Sequence, residues 1–225
     1  MTVALTLKSS AYGSPVTSLT TTSVSLPCGY VSFLCVHSRC TTTGTPVTPT
    51  ATGWTQVVTY NYDTSSPGKR LTVFSRVPSV SETGTHTVDF GGETQTGTRV
   101  YILTGTGLKT TGTNGADAVR QTATNATLTA GGVSVTATLG TTVAGNASLA
   151  LFGATFGAAA INTGSSMTAL DTNLDATLNS MVEWKNTNDT TLTASVTTNA
   201  EIIGIIGLEL AAGNDPFGVP WTAGS

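Results

Sequence analysis

Along most of the chain, apolar and polar positions alternate with a period of two. In "GWTQVVTYNYD", Trp54, Val58, Tyr60 and Tyr62 fall on one side and Thr55, Thr59, Asn61 and Asp63 on the other. Leu71, Val73 and Val77 alternate with Thr72 and Arg76, and His86, Val88 and Phe90 alternate with Thr85, Thr87 and Asp89. Successive side chains of a strand point to opposite faces, so the pattern predicts strands with one face buried. "DTSSPGKR" between the first two runs reads as a turn, because Pro67 presets φ and Gly68 tolerates positive φ. The nearest approach to a helical period is "MTALDTNLDATLNSM", residues 167–181, with Leu170, Leu174 and Leu178 at every fourth position. A short helix or turn competes with strand there.

The same order of short segments occurs twice. "SVSLP" (23–27) has a counterpart in "GVSVTA" (132–137), "VSFLCV" (31–36) in "ASLALF" (147–152), and "GWTQV" (53–57) in "SMTAL" (166–170). "LTVFSRV" (71–77) matches "SMVEWKN" (180–186), "THTVDF" (85–90) matches "TLTASV" (191–196), and "RVYIL" (99–103) matches "IGLEL" (206–210). The offsets stay between 106 and 116, which reads as a diverged duplication. The expected fold is all-β: two sequence-related antiparallel β-sandwich or jelly-roll-like halves, residues 1–110 and 111–212, then an extended arm, 213–225. Two separate sandwiches and one larger jelly roll both fit this pattern. The Gly- and Thr-rich stretch 104–119 has no apolar period and reads as the link.

Composition narrows the class. Of 225 residues, 48 are Thr and 25 Gly, and only 9% are charged, against roughly 25% in an ordinary soluble domain. With 39% apolar residues and a net charge of −3, the chain reads as folded rather than disordered. Thr suits a half-buried pleated surface, because its branched Cβ packs while its hydroxyl faces water. Residues 1–115 hold seven Lys/Arg against four Asp/Glu, and residues 116–225 hold two against eight. A basic and an acidic end suit head-to-tail packing of copies in a homo-oligomer. The apolar runs "IIGIIGLELAAG" and "ASLALFGATFGAAAI" are shorter than the ~20 residues of a membrane helix, so no membrane span is expected. "MTVALTLKSSAYGS" lacks the basic and apolar regions of a secretory signal, which points to synthesis and folding in a cytosol. The acceptor tripeptides at Asn125, Asn146 and Asn188 carry no weight in so Thr-rich a chain.

Candidate chemistry is sparse. Cys28, Cys35 and Cys40 are spaced unlike the paired ligands of a zinc site and read as small apolar thiols, with Cys40 in a loop. "TGTGLKTTG" departs from the phosphate-binding loop, since a residue separates Gly107 from Lys109. His86 lies on the apolar side of its strand and reads as an interior or interface histidine. Asp171 and Asp175, four apart, lack the cleft that acid–base chemistry needs. Basic residues are too dispersed for a nucleic-acid surface. No cofactor motif, metal set or catalytic constellation is expected. In the tail "AGNDPFGVPWTAGS", Phe217, Val219 and Trp221 alternate with Gly218, Pro220 and Thr222. Pro216 and Pro220 disfavour helix, so the segment reads as an extended arm able to dock on a neighbouring subunit.

"YVSFLCV", the Thr/Pro-rich "TTTGTPVTPTATGWTQV", "RLTVFSRV" and "THTVDF" together resemble β-sandwich modules in structural proteins of tailed bacteriophages. In those, a Gly-Trp-Thr turn is followed by an aromatic strand ending in Arg-Val. The likeness is clearest over residues 20–107 and fades in the second copy, where Met167 replaces the Trp and "EWKN" replaces "FSRV". The resemblance implies a non-enzymatic virion part made in the cytoplasm of a bacterial host. Capsid decoration (cement) is the first expectation, with the major capsid protein or other virion subunits as partners. Its alternative is a tail, baseplate or fibre module that binds a host glycan, with Tyr60 and Tyr62 as the platform.

Overall fold

The computed structural model describes residues 2–41, 44–65, 67–127, 134–154, 160–164, 166–174, 178–197 and 202–213. The first half contains β1 (Ala4–Gly13), β2 (Ser18–Thr20), β3 (Val24–Leu26), β4 (Val31–Cys40), β5 (Thr50–Ala51), β6 (Thr55–Asp63), β7 (Lys69–Arg76), β8 (Glu82–Gly84), β9 (Thr87–Asp89) and β10 (Gln95–Thr106). A 3₁₀ turn, Thr113–Ala118, leads into β11 (Val119–Ala126), β12 (Ser134–Thr138), β13 (Ala147–Ala154), β14 (Ile161–Asn162), β15 (Thr168–Asn173), β16 (Asn179–Lys185), β17 (Thr191–Val196) and β18 (Ile203–Leu210).

The duplication is written in the connectivity. The two main sheets run β1-β10-β4-β7-β6 and β11-β18-β13-β16-β15, the same order strand for strand, and all their pairings are antiparallel. Each half adds a small sheet, β2-β9-β5 in the first and β12-β17-β14 in the second. The counterpart of β12 is therefore β2, not the "SVSLP" segment suggested by sequence. That segment forms β3, which pairs with β8 in a ribbon unmatched among the described strands. Described strands pair only within their own half, so the halves are two sandwiches rather than one jelly roll.

The sandwiches stack through their main sheets, giving four layers: small sheet, main sheet, main sheet, small sheet. Three cores separate them. Phe33 and Cys35 of β4 face the middle core with Leu149 and Leu151 of β13 and Ile206 and Leu208 of β18. Leu34 and Val36 face outward with Trp54, Phe74, Val88 and Phe90. Ala150, Phe152, Ile203 and Ile205 face outward on the other side. Strands covered on both faces lose their polar alternation, which is why β4, β13 and β18 read as continuous apolar runs.

Contacts across the middle are reciprocal. β6 packs against β11 and β15 against β1, each pair being the equivalent of the other. Likewise β7 packs against β18, while Tyr101 of β10 and Ser180 of β16 share a 2.6 Å hydrogen bond between hydroxyls. At the centre, His37 Nε2 and the Tyr62 hydroxyl hydrogen-bond at 2.7 Å and reach into the facing sheet. They are received by Gly153 and Gly204, which are register partners. A Cβ on Gly204 would lie 2.3 Å from Tyr62 Cγ, and one on Gly153 would lie 2.7 Å from His37 Nε2. His37 and Gly153 are themselves equivalent positions, next after "VSFLCV" and "ASLALF".

The competing helix over 167–181 does not form in the described part, where β15 and the start of β16 stand instead. Leu174 is exposed and Leu178 fully buried, so the leucines share no face. The link packs down: Leu108 and Ala118 join the middle core, and Leu108 bridges Ala212.

Candidate functional site

A polar concavity lies on the outer side of the first sandwich. Trp54 owes its place there to a bulge between Gln56 and Val58. The bulge reverses the phase of β6, so Trp54 enters the outer core while Val58, Tyr60 and Tyr62 face the middle. In the turn before it, the Trp54 N–H donates to the Ala51 carbonyl at 3.1 Å, and Gly53 takes φ +80°. A Cβ on Gly53 would meet Arg76 Nη1 at 2.8 Å, so glycine serves both the backbone and the guanidinium beside it. Arg76, at the end of β7, lies 6.0 Å from the Trp54 ring centroid and pairs with Glu82 of β8 at 2.8 Å. His86 meets Trp54 edge to face at 5.3 Å.

Of these groups Arg76, Glu82 and His86 line a hollow of about 420 Å³, together with Thr52 and the hydroxyl-bearing run Thr83, Thr85 and Thr87; Trp54 does not line it. Burial, with Arg76 adding to it and Glu82 opposing it, pushes the His86 imidazole below its ordinary value. It is therefore neutral near pH 7. Among the described residues, three buried polar atoms of this cluster have no hydrogen-bond partner: Trp54 Nε1, Glu82 Oε1 and His86 Nε2.

The second sandwich repeats the frame. The Met167 N–H donates to the Gly164 carbonyl at 3.1 Å, and Ser166 takes φ +63° where the first half has Gly53. Lys185, equivalent to Arg76, pairs with Asp189 at 2.8 Å. Thr136 and Thr193 share a 2.7 Å hydroxyl contact where Thr20 and Thr87 share one of 2.8 Å. The hollow between them is about 190 Å³. What changes is its furnishing: Met167 stands for Trp54, Leu192 for His86 and Glu183 for Phe74.

Glu183 is fully buried and accepts one hydrogen bond, 2.9 Å from the Gly164 N–H. Burial pushes its carboxyl up to about 7. Glu209, equally buried, accepts from the Val143 N–H, Asn146, Arg120 and Gln121. Burial alone would raise it, but these donors prevail and hold it below the usual carboxylate range.

The other residues singled out by sequence are dispersed. Phe217, Val219 and Trp221 lie outside the described residues, as does Asp175. Tyr62 is buried in the middle core and offers no surface platform, because the stacking of the second sandwich covers it, while Tyr60 is half-buried against the same core. All three cysteines are thiols. Cys35 is buried, with its thiol pushed up to about 12 by burial. Cys40 is buried at the end of β4 rather than in a loop, and Cys28 is exposed. Among the described residues no three His, Cys, Asp or Glu side chains converge as a metal site, and no helix is long and apolar enough to cross a membrane.

Sequence reasoning weighed His86 alone and missed the cluster around it. The available signal was charge: in a chain with 21 charged residues, the aligned copies place Arg76 opposite Lys185, each followed within six residues by an acid. The chain matches no protein-family model, no curated protein and no solved structure.

Proposed function

We propose that this chain is a non-enzymatic structural protein of a virion surface, decorating a capsid as a homo-oligomer and acting through inter-subunit contacts. The observation that carries the reading is the electrostatic quiet of a rigid four-layer block. Five of the nine Lys/Arg residues are already paired with carboxylates, and Thr dominates the polar positions. Copies of such a block can crowd on a lattice with little mutual repulsion. Stability then comes from many small buried areas rather than from one strong contact. Phe217, Val219 and Trp221 are the residues assigned to the contact with a neighbouring subunit.

The test is co-migration of the purified chain with intact or expanded capsids in size-exclusion chromatography with light scattering. Binding at a fixed, high copy number is expected, as is its loss on truncation after Asn214. A chain that ignores capsids overturns the reading. The alternative, a tail, baseplate or fibre module engaging a host surface, is favoured by one observation, the polar hollow beside Trp54 and His86.

A further inference from the structure

We infer that the end of the block where the described chain finishes is the docking surface for the C-terminal segment of a second copy. Tyr30, Val80 and Val143 receive Phe217, Val219 and Trp221 of that copy. The inference deepens the reading of the segment as an inter-subunit contact and rests on it.

Five large apolar side chains are exposed among the described residues, and three of them, Tyr30, Val80 and Val143, lie at one end of the molecule. Tyr30 precedes β4, whose first residue, Val31, pairs with Gly105 near the end of β10. Val80 belongs to the turn after β7, which is tied to the turn before β4. There the Gly29 N–H donates to the Pro78 carbonyl at 3.1 Å, and the Cys28 thiol donates to the Ser79 carbonyl at 3.0 Å. Val143 belongs to the turn before β13, where its N–H donates to Glu209 at 2.7 Å and its carbonyl accepts from the Asn146 N–H. Asn146 Oδ1 accepts in turn from the Ala212 N–H, and the Gly213 N–H donates to the Gly107 carbonyl. The described chain thus finishes between the two sandwiches, at the end that carries all three side chains. Twelve residues follow Gly213, among them Phe217, Val219 and Trp221.

The fold does not impose an apolar surface here. Gly29 and Gly145 are equivalent and both take positive φ, but Tyr30 follows the first and Asn146 the second. Asn146 is buried and bonds to Glu209 and Ala212. The turn after β16 carries Asn188 and Asp189, which bond to Thr142 and Lys185. In the first sandwich Tyr30 and Val80 instead face solvent, at 41% and 68% exposed. Single apolar residues on a surface need no explanation, but three gathered where an apolar segment leaves the fold do.

Backbone chemistry selects a second copy over the segment's own end. Pro216 fixes its own φ and holds Asp215 in the extended region, which leaves Asn214 alone to redirect the chain. A reversal takes two central residues, so the segment is directed away from the block. Trp221 lies eight residues beyond Gly213, a reach of up to about 26–29 Å, enough to cross onto a facing copy. Donor and acceptor share one end, so two copies meeting end to end exchange segments reciprocally and close as a dimer. The rings of Phe217 and Trp221 from both copies bury roughly 600–1,000 Å², and the surfaces they cover about as much again, which reaches the ~1,200–2,000 Å² of a stable interface.

Cys28, exposed at this end, serves as the reporter, because Cys35 and Cys40 are buried. The full chain carrying both Cys28→Ser and Val219→Cys is co-expressed with the native chain and treated with a copper–phenanthroline oxidant. Serine keeps the donor to the Ser79 carbonyl, and the introduced thiol can reach a Cys28 only on another chain. The expected product is a covalent pair of chains whose peptide map joins Cys28 to position 219. The native chain should be a dimer in light scattering, and truncation after Asn214 should leave a monomer. Val80→Asp should weaken the dimer about tenfold or more, while Leu174→Asp, exposed at the other end, leaves it unchanged. A monomeric native chain overturns the inference, as does the absence of any cross-link to Cys28. A cross-link that forms only when Cys28 and Val219→Cys share one chain overturns it too, by returning the segment to its own end. Capsids play no part: a monomer that still co-migrates with them removes the exchange and leaves the decoration reading in place.

Discussion

Glu183 and Glu209 are carboxylates of the same sandwich, both without solvent exposure, yet their pKa values are pushed in opposite directions. The difference is the count of donors among the described residues: four groups reach Glu209, while Glu183 accepts only the Gly164 N–H. A carboxyl raised from 4.5 to about 7 holds, between those values, a proton that the unfolded chain has released. Folding stability attributable to Glu183 is thus intact below pH 4.5 and is lost as pH rises towards 7. Glu183→Gln removes this dependence. The stability of the variant relative to the native chain should climb by an amount on the order of 3 kcal/mol between pH 4.5 and 7, read from urea unfolding at a series of pH values. A constant difference across that range would refute the assignment. His37 works the other way: burial, with Lys69 and Arg99, lowers it from 6.5 to about 3, so its contribution is lost as pH falls through that window. The glycine opposite Tyr62 is equally specific. Gly204→Ala places a methyl 2.3 Å from Tyr62 Cγ and should cost about 1–3 kcal/mol. Combining it with Tyr62→Leu should recover part of that loss in a double-mutant cycle.

At the scale of elements, the β6–β7 hairpin is closed by Asp63 and Lys69, an ion pair whose side chains are only 2% and 5% exposed. Burial opposes ionisation of Asp63, but Lys69 and Ser65 outweigh it and hold the carboxyl below its ordinary value. Lys69→Met strands that carboxylate and should cost about 3–5 kcal/mol in chemical denaturation. Asp63→Asn keeps the Ser65 contacts, and the double variant Asp63→Asn/Lys69→Met should return to within about 1 kcal/mol of the native chain, since a neutral pair avoids the desolvation cost. Period-two reading located β9 because one of its faces is exposed, as with Thr87 and Asp89 on either side of buried Val88, and located β7 because it keeps Thr72 and Ser75 among its apolar residues although it is buried along nearly its whole length. It misplaced Trp54 because a bulge is invisible to periodicity. It left β15 open to a helical reading because Leu170, Leu174 and Leu178 satisfy a four-residue spacing by accident. The ordered segment matches carried the duplication, and five of the six joined equivalent strands. The candidate site was less legible. Its threonines are ordinary surface residues in sequence, and the meeting of Trp54, Arg76, Glu82 and His86 depends on the outer sheet folding back across β7.

For the whole molecule, the middle core matters most, because it draws Phe33, Tyr62 and Tyr101 from one half and Leu149, Val182 and Ile206 from the other. Neither sandwich can lose its structure without exposing the facing sheet of its partner. The chain should therefore melt in a single calorimetric transition whose van't Hoff and measured enthalpies agree. Two resolved peaks would show that the halves unfold independently. Residues 1–110 expressed alone would present an apolar sheet face to water and are expected to self-associate in light scattering.

The meeting of His37 with Gly153 shows what joining the halves made available. Two separate copies of one sandwich, paired through the same sheet about a two-fold axis, would bring a residue on that axis against itself. A histidine there would oppose a histidine, and a glycine would oppose a glycine and leave a void. Once both copies lie on one chain, a substitution occurs on one side only. Bulk on one side can then be answered by its absence on the other, and the interface no longer has to be its own complement. Nor does it dissociate on dilution, because the tether through Leu108 and Ala118 sets the local concentration of one half around the other.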